Sequence, residues 1–189
     1  EYLTHFHSNI HRGAHALATQ ATDAFEAARE IVRKHFNALK TSEIIFTSGA
    51  TDSINLVAGT WGRANLTPQS TILLTRLEHH SNIVPWQILK SDIGCKIEVV
   101  DVLLDGSLDV EDFKKKLNLK PSLVCFSHVS NTLGTINDVK LLTSFAHKVG
   151  AIVLVDGSQA APHSVVDFQD IDCDFYACSG HKMYGPTGI

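Results

Sequence analysis

The residue types best suited to covalent and proton-transfer chemistry stand directly after short apolar runs. Lys182 follows the run 175–178 and a Ser-Gly turn, so its amine, a potential nucleophile, can project from a strand end into a cleft. Asp156 ends the run 151–155, where an acid is unfavourable unless it has a partner. His79, a residue type that moves protons near neutral pH, lies beyond the run 71–75. Plainer interpretations stay open, since Lys182 could be a solvated surface lysine and Asp156 a helix N-cap.

Polar motifs follow the other apolar runs in the same way, so nearly all the polar chemistry is predicted to meet at one edge of a sheet. In an open α/β sheet, ligands bind beyond the carboxyl ends of the strands. The motifs are Ser48-Gly49-Ala50-Thr51, Glu78-His79-His80, Ser130-Asn131, Asp156-Gly157-Ser158-Gln159 and Ser179-Gly180-His181-Lys182. The second motif could suggest a metal site, but adjacent residues rarely converge on one ion, so no metal site is predicted.

Alternating short apolar runs and helical patterns predict the elements that position these residues. Residues 14–39 have the spacing of an amphipathic helix, and residues 1–13, which contain His5, His7 and His11, are interpreted as an N-terminal arm. The predicted strands are 44–47, 71–75, 97–102, 123–128, 152–155 and 175–178, and the helices between them are 51–63, 82–93, 109–117 and 138–149. Several runs are continuously apolar, which indicates an α/β fold with a mostly parallel sheet covered by helices on both faces.

The bulk properties exclude several classes of protein. The formal charge is −4 and the basic residues are scattered, so no nucleic-acid surface is predicted. No apolar run approaches the roughly 20 residues that span a bilayer, and no signal segment opens the sequence, so no membrane association and a cytoplasmic location are predicted. The four cysteines form no CxxC pair and are interpreted as reduced, mostly buried thiols.

Together the motifs resemble one protein family over essentially the whole chain. The strings that carry the resemblance are His11-Arg12-Gly13, the stretch from Glu78 to Trp86, the stretch from His128 to Gly134, Val155-Asp156-Gly157-Ser158-Gln159 and Ser179-Gly180-His181-Lys182. The sequence is similar to the class V aminotransferase group of fold-type I pyridoxal 5'-phosphate (PLP) enzymes, most of all to Suf-type cysteine desulfurases and selenocysteine lyases. The resemblance implies the large domain of that fold, within residues 14–189.

The resemblance also implies how the cofactor ring is held. Lys182 is predicted to carry PLP as a Schiff base. Asp156 is predicted to pair with the pyridine nitrogen and keep it protonated, which makes the ring an electron sink. Gln159 is predicted to contact the phenolic oxygen of the ring, and Asn131 to lie near that oxygen and the substrate.

Two further roles follow from the same resemblance. His79 is predicted to stack on the ring and to assist proton transfer. Ala50 and Thr51, where a helix is predicted to begin, are expected to bind the cofactor phosphate together with Ser179 and His181. Free N–H groups and the helix dipole attract anions at such a terminus, although Thr51 could also be a simple N-cap.

By resemblance the activity is that of a cysteine desulfurase, which takes sulfur from L-cysteine and leaves alanine and an enzyme persulfide. Iron–sulfur cluster assembly, a homodimer and a sulfur-acceptor protein would accompany it. The alternatives are a selenocysteine lyase, an aminotransferase, an epimerase, another C–S lyase, or a non-catalytic scaffold.

The sequence is also interpreted as truncated after the lysine, without the small C-terminal domain. In the resembling enzymes the nucleophilic cysteine and the arginine that binds the substrate carboxylate come later in the chain. None of Cys95, Cys125, Cys173 and Cys178 matches that cysteine, and strand packing is expected to bury at least one of the last two. Weak or absent turnover is therefore expected from these 189 residues alone.

Overall fold

The computed structural model describes His5 and residues 7–189, and it divides into two compact units, Glu1–Ile45 and Phe46–Ile189. Residues 1–4 and 6 of the predicted arm lie outside the described residues. The predicted boundary between an arm and a large domain at residue 14 stays a prediction.

The first unit is built on one helix, α1 (Ala16–His35), which is shorter at both ends than the predicted 14–39. The His15 ring caps it by accepting a hydrogen bond from the Ala18 amide, and basic residues in its last turn suit the helix dipole. A hydrogen bond joins the segment after the helix to the helix itself: the Arg29 guanidinium donates to the Ile44 carbonyl oxygen at 2.6 Å. The buried side of α1 contains Ala18 and Ala21, whereas Ile31 is 68% exposed.

The second unit contains a five-stranded sheet in which every paired strand is parallel, as predicted. The strands are β1 (Thr71–Thr75), β2 (Lys96–Val100), β3 (Leu123–Ser127), β4 (Ile152–Asp156) and β5 (Phe175–Ala177). They lie in the order β2-β1-β3-β4-β5. The chain therefore adds β2 on one side of β1 and then crosses to the other side for β3. This reversal makes the carboxyl ends of β1 and β3 a topological switch point, where open α/β sheets bind ligands.

Helices connect the strands, and all but the last of them, which was not predicted, fall close to the predicted ranges. They are α2 (Ala50–Val57), which continues through a π-helical turn (Ala58–Gly62) into α3 (Arg63–Asn65), then α4 (Val84–Ile93), α5 (Val110–Leu117), α6 (Val139–Lys148) and α7 (Phe168–Ile171). Short 3-10 turns lie at His80–Asn82 and Gly180–Met183. No helix among the described residues has the length and apolar character needed to cross a membrane.

One predicted strand, 44–47, is wrong. The structure leaves these residues extended but outside the sheet, directly after a 3-10 turn at Thr41–Glu43. Apolar residue types favour a strand, but a strand also needs hydrogen-bonding neighbours, and residues 44–47 pair with no strand of the described sheet. Ile45, moreover, is 65% exposed. The motif Ser48-Gly49-Ala50-Thr51 therefore follows an irregular segment rather than a strand.

The core lies on both faces of the sheet, which explains the continuously apolar strands. On one face Cys125 and Leu154 belong to a buried cluster with Trp86 of α4. On the other, the ring of Phe126 meets that of Phe113 in α5, edge to face, with 6.3 Å between centroids. All five residues of β3 are buried, because a helix covers each face of the strand.

Candidate active site

A cavity of about 280 Å³ lies at the carboxyl edge of the sheet, close to the size range of small-molecule sites. The residues that line it come from the ends of strands and from the start of α2. They include all nine residues singled out from the sequence: Ala50, Thr51, His79, Asn131, Asp156, Gln159, Ser179, His181 and Lys182. The structure thus brings together side chains that lie up to 132 positions apart in the sequence.

The start of α2 supplies backbone donors to this cavity. Gly49, at the N-cap, has φ +109°, a conformation that favours glycine, and no side chain caps the helix there. The Ala50 amide donates instead to Ser179 Oγ at 3.0 Å, so the turn after β5 is joined to the helix N-terminus. Ala50 and Thr51 line the cavity at this terminus, where unused N–H groups and the helix dipole favour an anion.

Asp156 is the last residue of β4 and is only 5% exposed. Its Oδ1 accepts a hydrogen bond from the Ser158 amide at 3.0 Å. In the parallel sheet, Asp156 is the register partner of Ser127 on β3 and of Ala177 on β5. No ion pair involves it among the described residues. A buried carboxylate that lines a cavity and has no ion-pair partner among the described residues is suited to binding a cationic group.

The ring of His79 has a defined hydrogen-bonding state. Its Nδ1 accepts from the Ser81 amide at 3.2 Å and lies 2.8 Å from Ser81 Oγ. Because a backbone N–H can only donate, Nδ1 is the acceptor, and the neutral ring carries its proton on Nε2. His79 is thus able to give or take a proton at Nε2, on a ring whose other nitrogen is fixed.

Lys182 lies in the 3-10 turn Gly180–Met183, directly after β5. Ser179 precedes this turn, and the Lys182 amide donates to the Ser179 carbonyl oxygen at 3.2 Å. The lysine is half-buried and lines the cavity beside His181. The turn therefore does what the Ser-Gly motif predicts, because it presents an amine at the strand end.

Four further lining residues, Ser81, Ser127, Val129 and Ser158, had been given no role in the site. Each lies within three positions of a strand end or of a predicted site residue. Proximity to the ends of the predicted strands was the signal that could have found them. Sequence reasoning also missed Glu78 as a buried acid, although the motif Glu78-His79-His80 was noted.

Glu78 lies beside the cavity and is 9% exposed. Burial raises the pKa of its carboxyl group to about 7, and the nearby charge of Asp156 acts in the same direction. Hydrogen bonds from Thr75, Asn82 and the Ser127 amide oppose the shift. A carboxyl group with this pKa changes charge near neutral pH, directly next to His79 in the chain.

The four cysteines have no exposed thiol suited to nucleophilic attack. Cys95 and Cys125 are buried. Cys173 and Cys178 are half-buried, so the expectation that at least one would be buried is wrong. Burial raises the pKa of Cys173 to about 12 and that of Cys178 to about 11. These thiols stay protonated near neutral pH, whereas a sulfur nucleophile must be a thiolate.

The donor set of the cavity fits PLP group by group. An amine at Lys182 matches the aldehyde, and the buried carboxylate of Asp156 matches a protonated pyridine nitrogen. The start of α2, where Gly49 has the positive φ that favours glycine, presents backbone N–H groups that suit a phosphate. No group of three or more His, Cys, Asp or Glu residues suited to a metal ion occurs in the described part of the chain.

The fold and the site together define the large domain of a fold-type I PLP-dependent enzyme. The same architecture occurs in an apo cysteine desulfurase from Thermococcus onnurineus NA1, with a TM-score of 0.93 and 40% identity over 99% of this chain and 46% of that one. A structure titled "SspA in complex with cysteine" matches with a TM-score of 0.86 and 28% identity over 94% of this chain and 50% of that one.

The aminotransferase class-V family model matches residues 1–189, and the chain belongs to this family of PLP-dependent enzymes. Its sequence is 50% identical to a probable cysteine desulfurase of Halalkalibacterium halodurans, over all of this chain and 47% of that protein. It is 46% identical to a cysteine desulfurase of Pectobacterium atrosepticum, over all of this chain and 46% of that protein. The chain spans about half the length of these relatives.

Proposed function

We propose that residues 14–189 form the cofactor-binding part of a PLP-dependent cysteine desulfurase. The observation that carries the proposal is the single cavity that contains the amine of Lys182, the buried carboxylate of Asp156 and the start of α2. Relatives at 46–50% identity over the whole chain that are named cysteine desulfurases support the choice of reaction.

Each group would bind a different part of the cofactor. Lys182 supplies the amine that joins the aldehyde, and Asp156 holds the pyridine nitrogen in its protonated form. Ala50, Thr51, Ser179 and His181 bind the phosphate. When bound, PLP withdraws electrons from the substrate carbon next to the attached amine.

The remaining residues would orient the ring and move protons. His79 stacks on the ring and transfers a proton at Nε2, because Nδ1 already accepts from the Ser81 amide. Gln159 and Asn131 contact the phenolic oxygen and orient the substrate. The sulfur acceptor must be a thiolate, and the raised pKa values of Cys173 and Cys178 argue against either of them in that role.

L-cysteine is the proposed substrate, with alanine and a persulfide as products, in sulfur mobilisation such as iron–sulfur cluster assembly. Selenocysteine lyase activity is the alternative for the same site, because selenium and sulfur substrates share the amine and the carboxylate. A homodimer, a sulfur-acceptor protein and a cytoplasmic location remain predictions from the sequence resemblance.

Reductive labelling tests the cofactor assignment. The purified chain is incubated with PLP, reduced with borohydride and digested, and the labelled peptide is sequenced by mass spectrometry. The label is expected on Lys182 only, with loss of both the label and the visible absorption of the cofactor in Lys182→Ala. Prior addition of L-cysteine is expected to reduce labelling, because its amine replaces that of the lysine.

Lys90→Ala is the matched control, since Lys90 is an exposed lysine on α4. It is expected to label at Lys182 as the unmodified chain does. Labelling of several surface lysines, or equal labelling in Lys182→Ala, contradicts the cofactor assignment. A complete lack of binding favours a non-catalytic scaffold.

A further inference from the structure

Glu78 is the most buried carboxyl group that the proposed function does not use. It does not line the cavity, yet it directly precedes His79. Its Oε1 accepts from Thr75 Oγ1 and, at 3.0 Å, from the Ser127 amide, while its Oε2 accepts from Asn82 Nδ2 at 2.6 Å. Three donors therefore converge on one carboxylate from β1, from β3 and from the turn that follows β1.

The direction of these hydrogen bonds is fixed by the neighbours of the donors. Trp86 Nε1, which can only donate, binds Asn82 Oδ1 at 3.0 Å, so the amide nitrogen of Asn82 must face Glu78. The Leu77 amide donates to Thr75 Oγ1 at 3.1 Å, which leaves the hydroxyl proton for Glu78. The site is thus built for an acceptor that offers both of its oxygens.

The network encloses the turn that carries His79. Glu78 and Asn82 lie on either side of residues 79–81, and the backbone N–H of Asn82 donates to the His79 carbonyl oxygen at 2.8 Å. The bond from the Ser127 amide fastens this turn to the end of β3. Ser127 is in turn the register partner of Asp156, so the network reaches the strand position next to that carboxylate.

We propose that Glu78 is a positioning residue for His79. Glu78 holds the turn 79–82 closed through Asn82 and fastens it to β3 through the Ser127 amide. The role of His79 rests on the proposed function, but its fixed position is a property of the chain without cofactor. Groups held by packed side chains and supporting hydrogen bonds keep the geometry that catalysis needs.

Two substitutions separate this network from other effects. Glu78→Gln keeps the shape but replaces one oxygen with an NH₂ group, which must face either Asn82 Nδ2 or the other donors. The double change Glu78→Gln with Asn82→Asp repairs the contact, because the new carboxylate accepts from both Trp86 Nε1 and the introduced amide. Glu111→Gln, on an exposed carboxylate of α5, makes the same chemical change elsewhere.

The first measurement is ¹⁵N NMR of the His79 ring in the chain without PLP, assigned by comparison with His79→Gln. The unmodified chain and Glu111→Gln are expected to show the tautomer protonated on Nε2. Glu78→Gln is expected to shift and broaden the ring signals, and the double change is expected to restore them.

The second measurement is the dissociation constant for PLP. A loss of about tenfold is expected for Glu78→Gln, in line with unsatisfied buried hydrogen-bonding groups, and a return to the original value for the double change. If the single change does not fold, the double change carries the test.

An unchanged His79 spectrum in folded Glu78→Gln overturns the proposal. So does a double change that folds without restoring the ring signals, or one that does not fold. Absence of PLP binding by the unmodified chain contradicts the proposed function instead, and the NMR comparison still decides the role of Glu78.

Discussion

At the scale of a single residue, Glu78 makes stability depend on pH. Its pKa rises from 4.5 to about 7 in the folded chain, mainly through burial. Burial makes ionisation of Glu78 less favourable than in the unfolded chain, although three donors hold its carboxylate, so the stabilisation present below pH 4.5 is lost as the pH rises through about 7. The groups that face it, Asp156 and Cys125, do not compensate its charge. A shift of this size corresponds to about 3 kcal/mol.

Urea unfolding across this pH range measures the effect. The unfolding free energy of Glu78→Gln, relative to the unmodified chain, is expected to improve with rising pH by up to about 3 kcal/mol. The hydrogen-bond mismatch in Glu78→Gln adds the same amount to this difference at every pH. The contributions of groups that titrate in both proteins cancel. Glu111→Gln is measured alongside as the control for the chemical change, and parallel curves for Glu78→Gln and the unmodified chain would show that the pKa of Glu78 is ordinary.

The positions of Lys182, Asp156 and His79 in one cavity could be predicted, because each follows a recognisable apolar run and the ends of parallel strands meet. The burial of Glu78 could not. It depends on the Ser127 amide, 49 positions away, and no local pattern reports which acid of a polar motif turns inward. The same holds for Cys173 and Cys178, whose partial burial depends on tertiary packing.

At the scale of an element, the end of β4 tolerates no side chain at Gly157. A Cβ built there would lie 2.0 Å from ring atoms of Tyr176, whose hydroxyl lies 3.0 Å from His128 Nδ1. Gly157→Ala must displace either the ring or the strand end that carries Asp156. We expect a loss of about 1–3 kcal/mol in unfolding free energy, as in other overpacked sites, and weaker PLP binding.

Gly59→Ala provides the comparison for this change. Gly59 lies in the helical stretch after α2, and a Cβ there meets nothing within 4 Å. Alanine is the better helix former, so this substitution is expected to leave stability equal or slightly higher. Equal stabilities for both alanine variants in urea unfolding would mean that Tyr176 moves aside freely.

Element types were predictable where apolar periodicity and sheet topology agree, as for β3 and β4. They were not where the two conflict. The run 44–47 has the residue types of a strand but no described strand beside it, and hydrogen-bonding partners come from the whole fold rather than from the run itself.

At the scale of the whole molecule, the second unit depends on a sheet that is covered on both faces. Phe126 is fully buried on β3, the central strand of the sheet, and packs against Phe113 of α5. Phe126→Ala removes that contact and leaves a cavity, which is expected to lower the unfolding free energy by about 3–5 kcal/mol.

Chemical denaturation of Phe126→Ala and Leu104→Ala makes this comparison. Leu104 is a large apolar residue on the surface, and its truncation is expected to change stability by less than about 0.5 kcal/mol. Similar losses for the two variants would show that the two-sided core is not the main source of stability. The two-sided core itself was predictable, because strands such as β3 and β4 are apolar at consecutive positions.

The order of the strands along the chain has a consequence for synthesis on the ribosome. The N-terminus of α2 emerges early, while Asp156 and Lys182 emerge only with the last two strands. The amine therefore leaves the exit tunnel well after the start of α2, which would bind the phosphate. Under the proposed function, a nascent chain could attach the cofactor only once all five described strands have been made, so a chain that stops before β5 would not consume it.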